Sequence, residues 1–412
     1  MSLLSFFYSN ENNILALIVF ALIILFVIIK RKRFSIEGKV LFIYRTKFGI
    51  VLMKKLSKYK RILNVYGMLG IFAGVMSMGL MLYLLVPYLQ MMISRPATTP
   101  AGLELVLPVS GVPGIVGVPI FYWLIALIVV VVLHEASHGI VALSRKIKIK
   151  ASGFGFFLAF LPLAFVEPDE KSFAKAKRSD RLKVLSAGSF TNLILGLIFL
   201  VIYIFVSNYM VAAHTVSFYP LALNILSVIP GGPAAHANLT ANTTITQING
   251  KQFLSPQQAE SYLSVTPGTV VNLTSSSGQV YRITTTYNES INDTSTHSYI
   301  GILGEYTYLK LSPFFISPIS RSAYPNNTPG AQILYWFDGL FLWISLISIG
   351  LGLANFLPIF YITDGCKIVN ELLGYVIKDR AKLMKVTNAV IVFFSILFLF
   401  LTPLGTILFS NI

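Results

Sequence analysis

Cysteine is nearly absent from this chain of 412 residues: Cys366 stands alone, which excludes an intrachain disulfide and a cysteine-rich metal site. Charge is also scarce. Only 12% of residues are charged against 55% hydrophobic, so an ordinary soluble globule is excluded. Acidic residues number 16 and histidines five, so a cluster of them inside an apolar run stands out. Ionisable groups at such depth are expensive and usually mark function.

What the chain has in quantity is long apolar sequence. Six runs, roughly 14–29, 62–86, 119–142, 184–207, 332–357 and 387–408, suit a hydrocarbon core of about 30 Å. The first has no basic region before it and is followed at once by Lys30-Arg31-Lys32-Arg33, so a retained anchor is expected rather than a cleaved signal peptide. The formal charge of +16 is distributed by topology: twelve Lys/Arg lie in 30–61, ten in 144–183 and five in 364–386. These segments alternate with 87–118 and 209–331, which hold the remaining five. That is the positive-inside pattern, with basic loops cytoplasmic and against anionic lipid headgroups, and no nucleic acid is expected as a partner. Glycosylation sequons at Asn238, Asn242, Asn272, Asn288, Asn292 and Asn326 all fall in 209–331, which suits an external loop and a glycoprotein.

Between the spans, 34–61 is expected to lie along the membrane surface as a basic, partly amphipathic segment. Residues 151–166 are apolar, too short to span, and flanked by two basic clusters. A segment that enters the bilayer and returns on the same side fits, and its Gly-x-Gly and Pro162 favour extended strands. Within 209–331 short strands are expected at Thr244–Ile248, Val270–Thr274 and Val280–Thr286, with a helix near Pro256–Leu263.

The third span carries His134-Glu135-Ala136-Ser137-His138. Histidines four apart share one helix face and can grip one metal ion, and the intervening glutamate can take a proton from water. Catalytic zinc usually needs a third protein ligand. Cysteine is unavailable, and His214, His236 and His297 lie in the external loop, which leaves Asp338 or Asp364. His134 lies about 22 Å into its span, in the cytoplasmic half. Asp364 matches that depth, whereas Asp338 reads as an interfacial aspartate beside Tyr335 and Trp336. Pro358 can end the fifth helix, Gly365 permits a tight turn, and Asn355 offers an amide to a substrate carbonyl. In Ala187-Gly188-Ser189-Phe190-Thr191-Asn192 the small residues suit close helix packing, while Asn192 can bond substrate or a neighbouring helix.

Together these residues resemble the site-2 protease family of intramembrane zinc metalloproteases. The motifs that carry it are H-E-x-x-H, Gly188-x-x-x-Asn192 and Asn355-x-x-Pro358 with Asp364-Gly365, in the family's order from about 119 to 386. Phe165-Val166-Glu167-Pro168-Asp169-Glu170 looks like the archaeal and animal branch. Ile229–Ala235, Ile245–Gly250 and Pro267–Val270 resemble a PDZ domain, with Pro-Gly-Gly-Pro in place of the usual Ser-Pro-Ala. The resemblance implies Zn2+ held by His134, His138 and Asp364, Glu135 as general base, and Asn355 and Asn192 holding substrate or shaping the site. Five residues separate Pro358 from Asp364, where four are usual.

The expected fold is a polytopic α-helical membrane protein of about six transmembrane helices. A re-entrant β-like segment and a small external α+β PDZ-like domain complete it. The expected divisions are an N-terminal membrane region with a basic cytoplasmic loop (1–118), catalytic membrane core (119–208), external PDZ-like domain (209–331) and second core part with the last helix (332–412). The expected function is cleavage of a peptide bond in or near the transmembrane helix of a substrate membrane protein in the cell membrane. The external domain would offer a peptide or protein partner a site. A membrane adaptor or a metal-ion transporter is the alternative use of the same His/Asp residues.

Overall fold

The computed structural model describes residues 11–38, 40–47, 49–94, 105–109, 115–218, 220–287, 299–308 and 323–401. Asn288, Asn292, His297 and the end of the sixth expected span, 402–408, lie outside these residues. In chain order the elements are α1 (Glu11–Ile29), β1 (Ser35–Glu37), β2 (Leu41–Thr46), α2 (Ile50–Leu56), α3 (Lys60–Ser94), β3 (Leu105–Leu107), β4 (Ile115–Gly117) and α4 (Ile120–Ser144). Then come β5 (Ile149–Phe157), β6 (Leu161–Pro168), α5 (Glu170–Lys175), α6 (Arg178–Ala212), β7 (Val216–Phe218), β8 (Leu221–Val228), α7 (Pro233–His236) and β9 (Thr244–Ile248). The chain continues with α8 (Pro256–Leu263), β10 (Val270–Ser275), β11 (Val280–Thr284), β12 (Ile302–Tyr308), β13 (Ala323–Pro325), α9 (Pro329–Phe356), α10 (Asp364–Val376) and α11 (Arg380–Leu401).

Among the described residues six helices are long and apolar enough to cross a membrane: α1, α3, α4, α6, α9 and α11. Most of their large apolar side chains face outward, as in Leu17, Phe72, Phe205 and Ile333. In water such exposure would be costly, whereas lipid solvates it. The chain divides into two compact units, 1–205 with 338–412, and 206–337.

The first unit holds a four-stranded antiparallel sheet in the order β1-β2-β5-β6. The 151–166 segment is therefore extended, as its glycine and proline pattern implies, but β5 is an inner strand and β6 an edge. The 34–61 segment forms β1, paired to β2, then β2, paired to β5, and then α2, which packs on α4. β2 carries Leu41, Phe42, Ile43 and Tyr44 in succession, and its backbone pairs with β5 in antiparallel register. Arg45 of β2 reaches Glu167 of β6 at 3.3 Å, and Lys150 of β5 reaches the same carboxylate at 2.6 Å. Lys150 and then Arg45 hold the Glu167 carboxyl below its usual range.

At the β5–β6 tip, Leu158 and Ala159 both adopt left-handed backbone, with φ of 50° and 66°. A turn of this kind in water normally uses Asn-Gly. Apolar residues here cost about 1–2 kcal/mol each in backbone strain.

The second unit is built on a five-stranded antiparallel sheet in the order β11-β10-β9-β8-β12. Ile225, Ile245, Ile248, Phe253, Leu273 and Ile283 form its core. β9, β10, β11 and α8 fall where the turn signals place them, and Ser255 caps α8 by accepting from Gln258 N at 3.1 Å. β8 and β12 were not read from the sequence; their pairing spans residues about 80 apart, which no local pattern announces.

Candidate active site

α4 is an uninterrupted apolar helix that sets His134 and His138 one turn apart on one face, with ring centroids 4.8 Å apart. His134 is buried; His138 is half-buried. The third acid arrives from the far end of the chain. α9 stops at Phe356, ahead of Pro358, and the backbone turns through Phe360 and Tyr361, both left-handed with φ of 54° and 60°. This turn is pinned at several points: the Thr363 hydroxyl donates to Leu357 O at 2.5 Å, and Phe360 N–H donates to Ser395 Oγ at 2.8 Å. α10 then begins at Asp364.

Gly365 serves differently from its sequence reading. Its φ is not left-handed; a Cβ there would stand 2.2 Å from Phe356 O, so glycine is required by close approach to the end of α9. α10 is docked on α6 by Arg181, whose Nε and Nη2 each lie 2.8 Å from a different oxygen of Glu371, and by Arg178 Nη1, which donates to Glu371 O at 3.1 Å. Leu182, Leu185, Phe356 and Ile368 close the core beneath.

These elements bring three ligand-type atoms together. His134 Nε2 and His138 Nε2 are 3.1 Å apart, and Asp364 Oδ2 lies 3.2 Å from the first and 3.1 Å from the second. Donors about 2.0–2.1 Å from one zinc ion in a tetrahedron stand roughly 3.3–3.4 Å apart, so the triangle fits such an ion with slight expansion. The outer nitrogens are engaged as ligands require. His138 Nδ1–H donates to Val184 O at 2.7 Å, since a carbonyl only accepts, which leaves Nε2 free. Asn192, fully buried on α6, sets its amide 3.0 Å from His134 Nδ1. Its nitrogen faces Nδ1 while Oδ1 has no partner among the described residues; exchanging the two amide positions satisfies both Oδ1 and an Nδ1–H.

Glu135 accepts from the backbone N–H of Val166, on β6, at 3.0 Å. It lines a cavity of about 430 Å³ together with His138, Asp364, Glu170 and Lys367. Asn355 is half-buried in the last turn of α9, and among the described residues no hydrogen bond links its amide to the triad. Asp338 is outside the cluster and only 1% exposed, buried within the protein.

A family model for peptidase family M50 matches residues 122–401. The chain belongs to that family, the site-2 proteases. M50 peptidases are metalloproteases, and with its six apolar helices this one is a multi-pass membrane protein. The matched residues contain His134, Glu135, His138, Asn192, Asn355 and Asp364. The chain is also 32% identical over 244 residues to an uncharacterized protein of Methanocaldococcus jannaschii, covering 58% of this chain and 61% of that one. It thus spans about three fifths of the length of the curated relative it matches.

Two parts of this M50 site left little trace in the sequence. Gly188 reads as a helix-packing residue, yet it faces both imidazoles, with a Cβ position 2.4 Å from His138 Nε2. The Val184 carbonyl and Val166 N–H are backbone groups, which carry no residue-type signal at all.

Proposed function

We propose that this protein is an intramembrane zinc endopeptidase that hydrolyses a peptide bond in or near the transmembrane helix of a substrate membrane protein, as in regulated intramembrane proteolysis. One observation carries the reading. His134, His138 and Asp364 converge within 3.2 Å of one another, and the adjoining Glu135 carboxylate is held by Val166 N–H beside a cavity large enough for water. His134, His138 and Asp364 are the metal ligands in this reading. A bound zinc ion would supply Lewis acidity toward the scissile carbonyl and toward water.

The remaining chemistry belongs to the chain. Glu135 removes a proton from the attacking water and returns it to the leaving amine. The Val166 N–H fixes the direction of that carboxylate. Asn192 orients His134 instead of meeting substrate, since it has no exposed surface. Asn355 is the residue we assign to the substrate carbonyl. The cavity beside Glu170 and Lys367 admits water.

A helical substrate must unwind before cleavage, because its carbonyls are otherwise engaged in i→i−4 bonds. The unwound segment would pair with the edge of β6 rather than β5, since β5 is already paired with β2 and β6. The basic loops are assigned to the cytoplasm of the cell and to anionic lipid. The 206–337 unit is assigned to the outside as a PDZ-like module for a peptide or protein partner, bearing the glycosylation sites.

The test is metal analysis together with cleavage of a reporter transmembrane helix, in wild type and Glu135→Gln. Stoichiometric zinc in both proteins, with cleavage only in wild type, is the expected result. Bound zinc with cleavage surviving the substitution would sink the mechanism, and metal flux without hydrolysis would favour transport.

A further inference from the structure

We propose that an apolar cavity beside α4 is the subsite that selects the substrate, by taking a bulky apolar side chain from the membrane segment to be cut. The inference rests on the proteolytic reading above and names what that site recognises. The cavity encloses about 370 Å³ among α1, α4, β5 and β6, and every residue lining it is apolar. Leu124, Ile128 and Val131 form the helical wall, and Phe156, Leu163 and Ala164 the strand wall.

Both walls lead to the catalytic carboxylate. Leu124, Ile128, Val131 and Glu135 are spaced four, three and four apart, so they follow one face of α4. Val131 lies about 6 Å and Ile128 about 10 Å along the axis from Glu135. On the other side, β6 runs from Leu163 and Ala164 directly to Val166, whose N–H donates to Glu135 Oε2 at 3.0 Å. Because a strand repeats every two residues, the N–H and C=O of Ala164 face the same edge as those of Val166. A substrate backbone held at that edge near Ala164 delivers one side chain to the cavity and its neighbouring peptide to Glu135.

Size and polarity define the occupant. A cavity of about 150 Å³ accepts benzene, so this one holds an aromatic or large branched side chain with room to spare. A polar side chain would lose its hydration and find no partner on any wall. A lipid acyl chain matches the polarity, but it has no group to present at Glu135, where both walls end. The substrate segment does.

The experiment uses the full-length zinc-loaded protein in phosphatidylcholine–phosphatidylglycerol vesicles, with reporter helices carrying Leu, Phe, Ala or Ser at each position flanking the cut. One position is expected to prefer Leu or Phe over Ala by roughly 10–100-fold in kcat/KM. Ala164→Phe, which fills the cavity, should reduce that Leu-to-Ala ratio at least tenfold, and Ile128→Ala should raise the ratio for Phe over Leu. A second readout needs no turnover. In Glu135→Gln protein, a photoreactive phenylalanine analogue at the preferred reporter position should crosslink to peptides containing Ile128 or Leu163. Crosslinking to lipid alone, or to other helices, overturns the proposal. Cleavage by wild type without side-chain preference, or a preference untouched by both substitutions, overturns it while leaving the protease reading intact. No cleavage of any reporter removes both.

Discussion

A Cβ placed on Gly188 would stand 2.4 Å from Nε2 of His138 and 2.6 Å from Nε2 of His134. The glycine on α6 thus keeps clear the point where the ligand atoms converge, and no larger residue leaves room there. Gly188→Ala should lower metal affinity by at least tenfold. It should not unfold the protein, because alanine in a helix interior is favoured over glycine by about 1 kcal/mol. Metal content by mass spectrometry, beside the Tm of the chelated protein, checks both halves; retained zinc would show that the imidazoles converge elsewhere.

Asn192 is expected to act through His134. Asn192→Leu removes the amide that fixes the imidazole, and losses of about 10–100-fold in metal affinity are typical for such partners. Chelator competition measures this directly. If the affinity holds while only kcat falls, Asn192 touches substrate instead.

The Arg181–Glu371 pair anchors α10, the helix that begins with Asp364. Both side chains are mostly buried, at 17% and 13% exposure. Arg181→Met leaves the carboxylate without its two-point partner and should cost roughly 1–3 kcal/mol, seen as a lower Tm in detergent. The double variant with Glu371→Met should recover part of that loss, since it removes the unpaired carboxylate and leaves only the more exposed Arg178, 3.5 Å from Glu371 Oε2, without its partner.

Cys366 lies under the turn that delivers Asp364, 7% exposed, with Sγ 3.5 Å from Ile359 O. A buried thiol of this kind packs as a small apolar group. It should resist a water-soluble maleimide in the folded protein and react readily once Thr363→Val loosens the turn. Fast labelling of wild type would mean that the 357–363 turn opens freely.

The legible parts of this protein were those written in composition and local period. Apolar runs of spanning length, charge that alternates along the chain and a histidine pair at helical spacing are properties of neighbouring residues. They were enough for the membrane class, the metal motif and the choice of Asp364 over Asp338. Asn192 was singled out as polar, but its direction toward His134 depends on how α6 packs on α4. The 34–61 segment reads from the sequence only as basic and partly amphipathic; its strands exist because β5 offers an edge more than 100 residues away. His134, Glu135 and His138 were fixed by sequence, because one helix places them. Their union with Asp364, 226 residues beyond His138, was decided by folding alone, through the left-handed turn at Phe360–Tyr361, the close approach at Gly365 and the clearance at Gly188.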